Sequence, residues 1–196
     1  MNVAIIKYNA GNVLSVENAL HRLGITPVVT DDKELLLSAD KVIFPGVGEA
    51  STTMAYLRQH GLDRLIVQLK QPVLGICIGM QLMCRHSEEG DVDCLGIFDT
   101  QVKRFQPLQA NDKIPQMGWN TLTQMQGPLF KNVAPEAYVY YVHSYYAELC
   151  AQTIAQSEYL LPYSAALQRD NFYALQFHPE KSSAVGAIIL DNFLQL

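Results

Sequence analysis

The first half of the chain alternates short apolar runs with longer segments in which apolar residues recur at helical spacing. Val3–Ile6, Lys41–Phe44 and Val73–Ile76 are runs of the kind that form buried strands, and a further strand is expected at 26–30. Helices are expected from 13 to Gly24, over 35–37, and from 50 to 69 with a break near Gly61. This alternation predicts an α/β fold with an open, mostly parallel central sheet flanked by helices.

The pattern changes after about residue 95. Apolar runs at 137–142, 153–156, 165–168 and 172–177 follow one another without long helices between them. We expect these runs to form extra strands, some of them antiparallel, and we expect a closing helix at 183–194. Because the chain shows no repeat and no linker, the prediction is one domain over residues 1–196.

Composition narrows the choice of function. The chain has 196 residues, of which 49% are hydrophobic and 17% are charged, with a formal net charge of −5. These values predict a folded core, and the lack of a basic cluster argues against nucleic acid or a membrane as a partner. The N-terminus lacks the pattern of a signal peptide, so a cytoplasmic location is expected. The four cysteines form no CxxC pair and predict neither a disulfide framework nor a metal site, and no cofactor is expected.

The sharpest local signal is the segment Gly75-Ile76-Cys77-Ile78-Gly79, which follows a short apolar run and precedes a helix. A strand, a sharp turn and a helix in this order form the elbow that presents a nucleophile, and small flanking residues allow the tight turn. A cysteine at the N-terminal end of a helix is favoured as a thiolate. Cys77 is therefore the candidate nucleophile, and the backbone N–H of Ile78 is a candidate oxyanion donor.

A second glycine-rich segment, Pro45-Gly46-Val47-Gly48, follows the third predicted strand. In an open parallel sheet, ligands bind at the carboxyl ends of the strands, so this loop is expected beside the nucleophile. Its glycines allow the loop to supply a second oxyanion N–H. It is not a phosphate-binding Walker loop, because the GxxxxGK[ST] pattern is absent.

A cysteine nucleophile needs a base, and the base needs an orienting group. His178 follows an apolar run and has Glu180 two residues later, on the same side of an extended segment. His143 also ends an apolar run, so spacing alone leaves both histidines open as the base. His21, His60 and His86 lie in polar surroundings and are expected at the surface.

These motifs together resemble the class I glutamine amidotransferases over essentially the whole chain. The elbow has the form Gly-x-Cys-x-Gly-x-Gln, here residues 75–81, and the distant His-Pro-Glu is His178-Pro179-Glu180. Four further stretches resemble the branch of this class that feeds ammonia to a (βα)8-barrel cyclase: 45–48, Met80 before Gln81, 115–120 and 141–145.

The resemblance implies a role for each matching residue. Cys77 would form a γ-glutamyl thioester, His178 would relay protons and Glu180 would orient His178. Val47 and Ile78 would form the oxyanion hole. Glutamine would be bound by residues of the two motifs and of the 141–145 stretch: Gly46, Gly48, Gln81, His143, Ser144 and Tyr145. The partner would be a (βα)8-barrel cyclase in a heterodimer, with Asn12, Trp119 and Lys181 on the facing surface.

One stretch departs from the family pattern. Relatives commonly have Asp-Tyr-Gly-x-Gly-Asn after the first strand, whereas this chain has Lys7-Tyr8-Asn9-Ala10-Gly11-Asn12. Three alternatives stay open at this level. In the first, the chain is the glutaminase of another synthase, such as an anthranilate-forming enzyme. In the second, it works alone as a cysteine peptidase or γ-glutamyl hydrolase. In the third, it is a non-catalytic binding module. Met80 and the 117–119 stretch weigh against the first, and the complete Cys, His and Glu set weighs against the last.

Overall fold

The computed structural model describes residues 1–8, 13–46 and 48–196. The helices are α1 (Val13–Arg22), α2 (Lys33–Ser38), α3 (Ala50–His60), α4 (Leu62–Ile66), α5 (Ile78–Met83) and α6 (Ser183–Leu194). The strands are β1 (Val3–Ile6), β2 (Val28–Thr30), β3 (Lys41–Phe44), β4 (Val73–Ile76), β5 (His86–Ser87), β6 (Val92–Asp93), β7 (Gln101–Arg104), β8 (Gln116–Thr121), β9 (Tyr138–His143), β10 (Tyr145–Ala147), β11 (Thr153–Tyr159), β12 (Leu161–Arg169) and β13 (Phe172–Leu175). Two 3-10 turns lie at Pro128–Phe130 and Pro179–Lys181.

A seven-stranded sheet forms the centre of the molecule, in the order β11-β12-β13-β4-β3-β1-β2. The strands from β13 to β2 are parallel, whereas β12 and β11 add antiparallel pairs at one edge. A four-stranded sheet (β10-β7-β5-β6) and the antiparallel pair β8-β9 are separate from it. The expected mostly parallel sheet with additional antiparallel strands is therefore confirmed.

Alternate side chains of the parallel strands pack against opposite layers of helices, as the period of two in a strand requires. Ala4 and Ile6 of β1 belong to a core shared with α2, α3, α4 and α5. Val3 and Ile5 of the same strand belong to a core shared with α1 and α6. Both faces of the sheet are thus covered, which explains why these strands are continuous apolar runs.

Local signals account for several helix boundaries. The Asp32 side chain accepts hydrogen bonds from the N–H groups of Glu34 and Leu35 and thereby caps α2. Gly61 has the left-handed backbone (φ 66°) that ends α3 and begins α4, which confirms the expected break. The closing helix was expected at 183–194, and α6 has those bounds.

Five strands were missing from the sequence expectation: β5, β6, β7, β8 and β10. Strands β5 and β6 have two residues each, which is too short for an alternating pattern to appear. In β8 the apolar Met117 and Trp119 face outward, so the strand lacks the usual apolar-in, polar-out alternation. Within the described residues, no helix is long and apolar enough to cross a membrane.

Candidate active site

The carboxyl ends of four parallel strands meet at one edge of the central sheet. Tyr8 follows β1, Pro45 follows β3, Cys77 follows β4, and the segment 176–178 follows β13. Leu175 of β13 lies opposite Ile76 of β4, and the N–H of Cys77 donates to the carbonyl of Leu175 at 2.7 Å. This pairing brings Cys77 and the His178 segment together although they are far apart in sequence.

Cys77 stands in a sharp turn between β4 and α5. Its backbone has φ 52° and ψ −109°, a conformation that is rare for a residue with a side chain and typical of strained functional positions. The segments around the turn pack so closely that residue 79 has to be glycine. A Cβ at Gly79 would lie 2.0 Å from the carbonyl oxygen of Phe44 in β3. The first N–H groups of α5, beginning with Ile78, have no acceptor within the helix, so they are available to an anion.

His178 and Glu180 form a buried pair beside this turn. Nδ1 of His178 lies 2.8 Å from Oε1 of Glu180, and the His178 side chain is 1% exposed. Nε2 of His178 is buried and has no hydrogen-bond partner at bonding distance among the described residues. The imidazole is therefore oriented by Glu180 through one nitrogen, and the other remains for the reacting groups.

The pKa of His178 reflects two opposing effects. Burial alone lowers it, but the interactions with Cys77 and Glu180 outweigh burial and raise the pKa to about 10. The imidazolium form is thus favoured at neutral pH, next to the thiol of Cys77. Such a charged histidine beside a cysteine is the arrangement that activates thiol nucleophiles.

His143 has the opposite electrostatic character. Burial lowers its pKa to about 4, and the nearby His178 acts in the same direction, against the hydrogen bond to Tyr145. Nδ1 of His143 donates to the carbonyl of Tyr145 at 2.7 Å, and Nε2 lies 3.0 Å from Oε1 of Gln116. Both ring nitrogens are therefore engaged within the protein, so the geometry favours His178 over His143 as the base.

Two residues that the sequence interpretation missed hold this arrangement in place. The hydroxyl of Ser182 donates to the carbonyl of His178 at 2.6 Å and accepts from the N–H of Tyr140 at 2.9 Å. Nε2 of Gln176 lies 3.8 Å from the sulfur of Cys77. Gln176 and His178 are two residues apart on an extended segment, and this spacing was the signal that could have found Gln176.

A cleft of about 300 Å³ opens next to Cys77. It is lined by Gly48, Ile78, Gln81, Glu89, Pro115, Val142, His143, Ser144 and Tyr145. Five of the six expected substrate-binding residues therefore line one cavity with the candidate nucleophile. Larger concavities exist, such as one of about 700 Å³ around Arg58 and Arg64, but they lie away from the thiol.

Gln81 is partly committed to the protein itself. Its Nε2 donates to the carbonyl of Tyr145 and to Oε1 of Gln176, both at 2.9 Å. Because both N–H groups are engaged, only the side-chain oxygen of Gln81 is left to recognise a substrate ammonium. Together with His143, Gln81 fixes the carbonyl of Tyr145 and so the backbone that lines the cleft.

Glu89 is the one acidic residue among the described residues that line the cleft, and no sequence signal pointed to it. It reaches the cavity from the turn between β5 and β6, and its Oε2 accepts from the N–H of Ala50 at the start of α3. Burial and the charge of Glu49 raise the pKa of Glu89, while the bond from Ala50 lowers it. A half-buried carboxylate of this kind favours a cationic group on the ligand.

The start of the glycine-rich loop lies against the nucleophile turn. Gly46 is buried, and a Cβ there would lie 2.0 Å from Cγ2 of Ile78 and 2.1 Å from the hydroxyl oxygen of Tyr8. Gly46 is therefore required by close packing, although it does not line the cavity itself. Gly48 lines the cavity, and Val47 lies outside the described residues.

Two of the three expected partner-facing residues can be placed. Trp119 is 53% exposed on β8 and meets Tyr140 of β9 edge-on, with ring centroids 6.0 Å apart. Lys181 is exposed immediately after Glu180, and Asn12 lies outside the described residues. Across the described part of the chain, no group of three or more His, Cys, Asp or Glu residues is arranged to hold a metal ion.

The family model for class I glutamine amidotransferases, "Glutamine amidotransferase class-I", matches residues 5–196. The chain therefore belongs to this family. Its fold is the single-domain α/β fold of that class, with a central mixed sheet, mostly parallel strands and additional antiparallel strands.

Two relatives indicate the branch of the family. "Imidazole glycerol phosphate synthase subunit HisH" of Bacteroides fragilis (strain YCH46) is 61% identical over 196 residues, covering 100% of both chains. The protein of the same name from Pectobacterium atrosepticum is 46% identical over 198 residues, again with 100% of both chains covered. The likeness thus extends along the full length of each sequence.

Solved structures share the fold at low identity. A putative GMP synthase component from Thermoplasma acidophilum superposes with a TM-score of 0.77 at 21% identity, covering 100% of this chain and 93% of that one. A structure described as a glutamine amidotransferase gives a TM-score of 0.74 at 19% identity, covering 98% and 97%.

The His178–Glu180 pair predicts a pH dependence of stability. Folded His178, with a pKa of about 10, keeps a proton that the unfolded chain releases near pH 6.5. This stabilisation is fully present below about pH 6.5 and is lost as the pH rises through about 10, with a slope of at most about 1.4 kcal/mol per pH unit. In Glu180→Gln the pKa of His178 falls, so the free energy of unfolding declines less steeply across this window.

Urea unfolding at several pH values between 6.5 and 10 measures both slopes. His21→Gln, at an exposed position of α1, is the control and keeps the wild-type slope. Identical slopes for wild type and Glu180→Gln would show that the carboxylate does not control His178.

Proposed function

We propose that the chain is the glutaminase subunit of an imidazole glycerol phosphate synthase. It hydrolyses L-glutamine to glutamate and ammonia, and it passes the ammonia to a cyclase subunit. The partner makes imidazole glycerol phosphate and aminoimidazole carboxamide ribonucleotide from the phosphoribulosyl-formimino precursor. The observation that carries the proposal is Cys77 at φ 52°, next to a buried His178 that Glu180 orients. Full-length relatives with the synthase name support the choice of pathway.

The chemistry begins at the sulfur. The Cys77 thiolate attacks the side-chain amide carbon of glutamine, and a tetrahedral oxyanion forms. The N–H groups of Ile78 and Val47 are the proposed donors to this oxyanion. When the carbon–nitrogen bond breaks, the His178 imidazolium gives its proton to the departing nitrogen, and ammonia leaves a γ-glutamyl thioester on Cys77.

Hydrolysis of the thioester completes the cycle. Neutral His178 takes a proton from water, and the resulting hydroxide attacks the thioester carbon. The carbon–sulfur bond breaks, glutamate leaves, and the thiolate–imidazolium pair is restored. The interactions that raise the pKa of His178 to about 10 keep the proton on the histidine in the resting state. Glu180 contributes by orienting the imidazole and by stabilising its charge.

Recognition of glutamine follows from the lining of the cleft. Glu89 and the oxygen of Gln81 suit the α-ammonium group, and backbone groups of Ser144 and Tyr145 suit the α-carboxylate. Gly48 lets the substrate approach the loop backbone, Gly46 holds that loop against Ile78, and His143 positions the carbonyl of Tyr145. A volume of about 300 Å³ lies at the small end of ligand pockets and suits a single amino acid.

The partner surface is proposed around the exposed face of the β8-β9 pair. Met117, Trp119 and Tyr138 expose more than half of their side chains there, and Val142 of the same strand pair lines the cleft. A contiguous apolar face of this kind is typical of a protein interface. Trp119, Lys181 and Asn12 are the proposed contacts with a (βα)8-barrel cyclase in a heterodimer. A reducing cytoplasm is the proposed location, because the mechanism needs a free thiol at Cys77.

The stand-alone peptidase or γ-glutamyl hydrolase is the second candidate considered from the sequence. A peptide substrate needs an extended groove, whereas the cleft at Cys77 is small and carries an acidic residue. The cleft therefore favours glutamine, and the same full-length relatives favour this synthase over an anthranilate-forming one.

Removal of the nucleophile tests the proposal directly. In complex with the cyclase, Cys77→Ala loses glutamate release from glutamine by about a thousandfold or more, because no thioester forms. Cyclisation supplied with ammonium salt survives, because the partner carries out that step. Cys94→Ala removes a half-buried thiol outside the cleft and serves as the matched control. Substantial glutaminase activity in Cys77→Ala would refute the assignment.

The histidine assignment has its own test. His178→Ala is nearly as damaging as Cys77→Ala, whereas Glu180→Ala leaves measurable activity, because an orienting group acts only through the base. Acid-quenched reactions of each variant measure the amount of thioester. Loss of thioester formation in His143→Ala but not in His178→Ala would show that the base is His143 instead.

Partner control of the rate is a further expectation. Glutamine hydrolysis by the isolated chain is slow and rises about a hundred- to a thousandfold when the cyclase and its ribonucleotide are bound, the range expected from gaining one oxyanion donor. Trp119→Ala weakens binding of the cyclase. Leu37→Ala, at a similarly exposed position on α2, is the control and leaves binding unchanged. A rate that hardly changes on complex formation would favour the stand-alone hydrolase.

A further inference from the structure

Tyr8 is a buried phenol at the edge of the sheet where the candidate catalytic groups gather. It follows β1 by two residues, and its side chain is 6% exposed. Its ring meets the ring of Phe44, the last residue of β3, with centroids 5.5 Å apart at an interplanar angle of 63°. Packing therefore fixes the orientation of the ring, and with it the direction of the hydroxyl group.

The hydroxyl of Tyr8 donates a hydrogen bond to the carbonyl of Pro45, the first residue of the glycine-rich loop. The next residue, Gly46, is confined from two sides. A Cβ there would meet the hydroxyl oxygen of Tyr8 on one side and Cγ2 of Ile78, the residue after the nucleophile, on the other. The start of the loop is thus held between Tyr8 and the first residue of α5.

The surroundings of Tyr8 keep its hydroxyl group protonated, so that it can donate a hydrogen bond. Burial, with a further contribution from the nearby Cys77, raises the pKa of Tyr8 far above its ordinary value. The phenol therefore stays protonated over the whole working pH range, and it remains a hydrogen-bond donor beside Cys77. The Tyr8 proton is directed to the carbonyl of Pro45, so the hydroxyl takes no proton-transfer step in the mechanism above.

We propose that Tyr8 is a positioning residue that holds Pro45 and Gly46, the start of the glycine-rich loop, in register with Cys77, so that the loop backbone stabilises the oxyanion. The inference rests on the glutaminase function proposed above, and it gives Tyr8 no contact with glutamine. An oxyanion exists only in the transition state and the tetrahedral intermediate. Misplacing its donors therefore lowers kcat and leaves ground-state binding of glutamine unchanged.

Tyr8→Phe is the variant that tests this role, because it removes the hydroxyl and keeps the ring against Phe44. In the complex with the cyclase, kcat for glutamine hydrolysis falls about tenfold, whereas KM for glutamine stays within about twofold of wild type. Alkylation of Cys77 by iodoacetamide forms no oxyanion, so its rate, followed by peptide mass spectrometry, does not change. Tyr159→Phe is the matched control, since it also removes a hydroxyl that donates to a backbone carbonyl, that of Lys113 at 2.5 Å.

Each other outcome overturns the inference. An unchanged kcat in Tyr8→Phe would show that the bond to Pro45 has no catalytic effect. If the rate of Cys77 alkylation fell together with kcat, Tyr8 would act on the nucleophile and not on the oxyanion donors. If the Tyr8→Phe chain did not fold, the role of Tyr8 would be structural. Failure of the proposed function would look different, because the wild-type complex itself would then release no glutamate from glutamine.

Discussion

The parallel pairing of β4 with β13 is the constraint on which the site depends. It places Ile76 opposite Leu175 and lets the N–H of Cys77 bond to the carbonyl of Leu175. A one-residue shift in this register would turn the side chains that follow β13 to the other face, and His178 would no longer face the thiol. The antiparallel strand β12 pairs with the other side of β13 and adds a second ladder that holds β13 in place.

The second requirement is electrostatic, and it separates two histidines that look alike in sequence. Both are buried, and each lies at or just after the end of a strand, but it is His178 that interacts with a carboxylate and a thiol. His143 contacts a backbone carbonyl and an amide instead, and burial lowers its pKa. The base must hold a proton in the resting state and release it to the departing ammonia. The environment of His178 suits this role, and that of His143 does not.

The sequence was sufficient where a residue's role depends on its immediate neighbours. The elbow at 75–79 and the break at Gly61 both follow from local rules, and the structure has them as expected. Glu89, Ser182 and Tyr8 were missed because their contacts are with distant segments: Ala50, Tyr140 and Pro45. Such contacts are set by the packing of elements, and no periodicity in a single sequence encodes them.

The central claim is that the sulfur of Cys77 becomes covalently acylated by glutamine. Acid quenching of the cyclase complex during steady-state turnover, followed by peptide mass spectrometry, measures this directly. The account predicts a γ-glutamyl adduct on the peptide that contains Cys77, and none on Cys84, Cys94 or Cys150. The adduct should appear and decay at the rate of glutamate release. An adduct on a different residue, or turnover at full rate without any adduct on Cys77, would contradict the account.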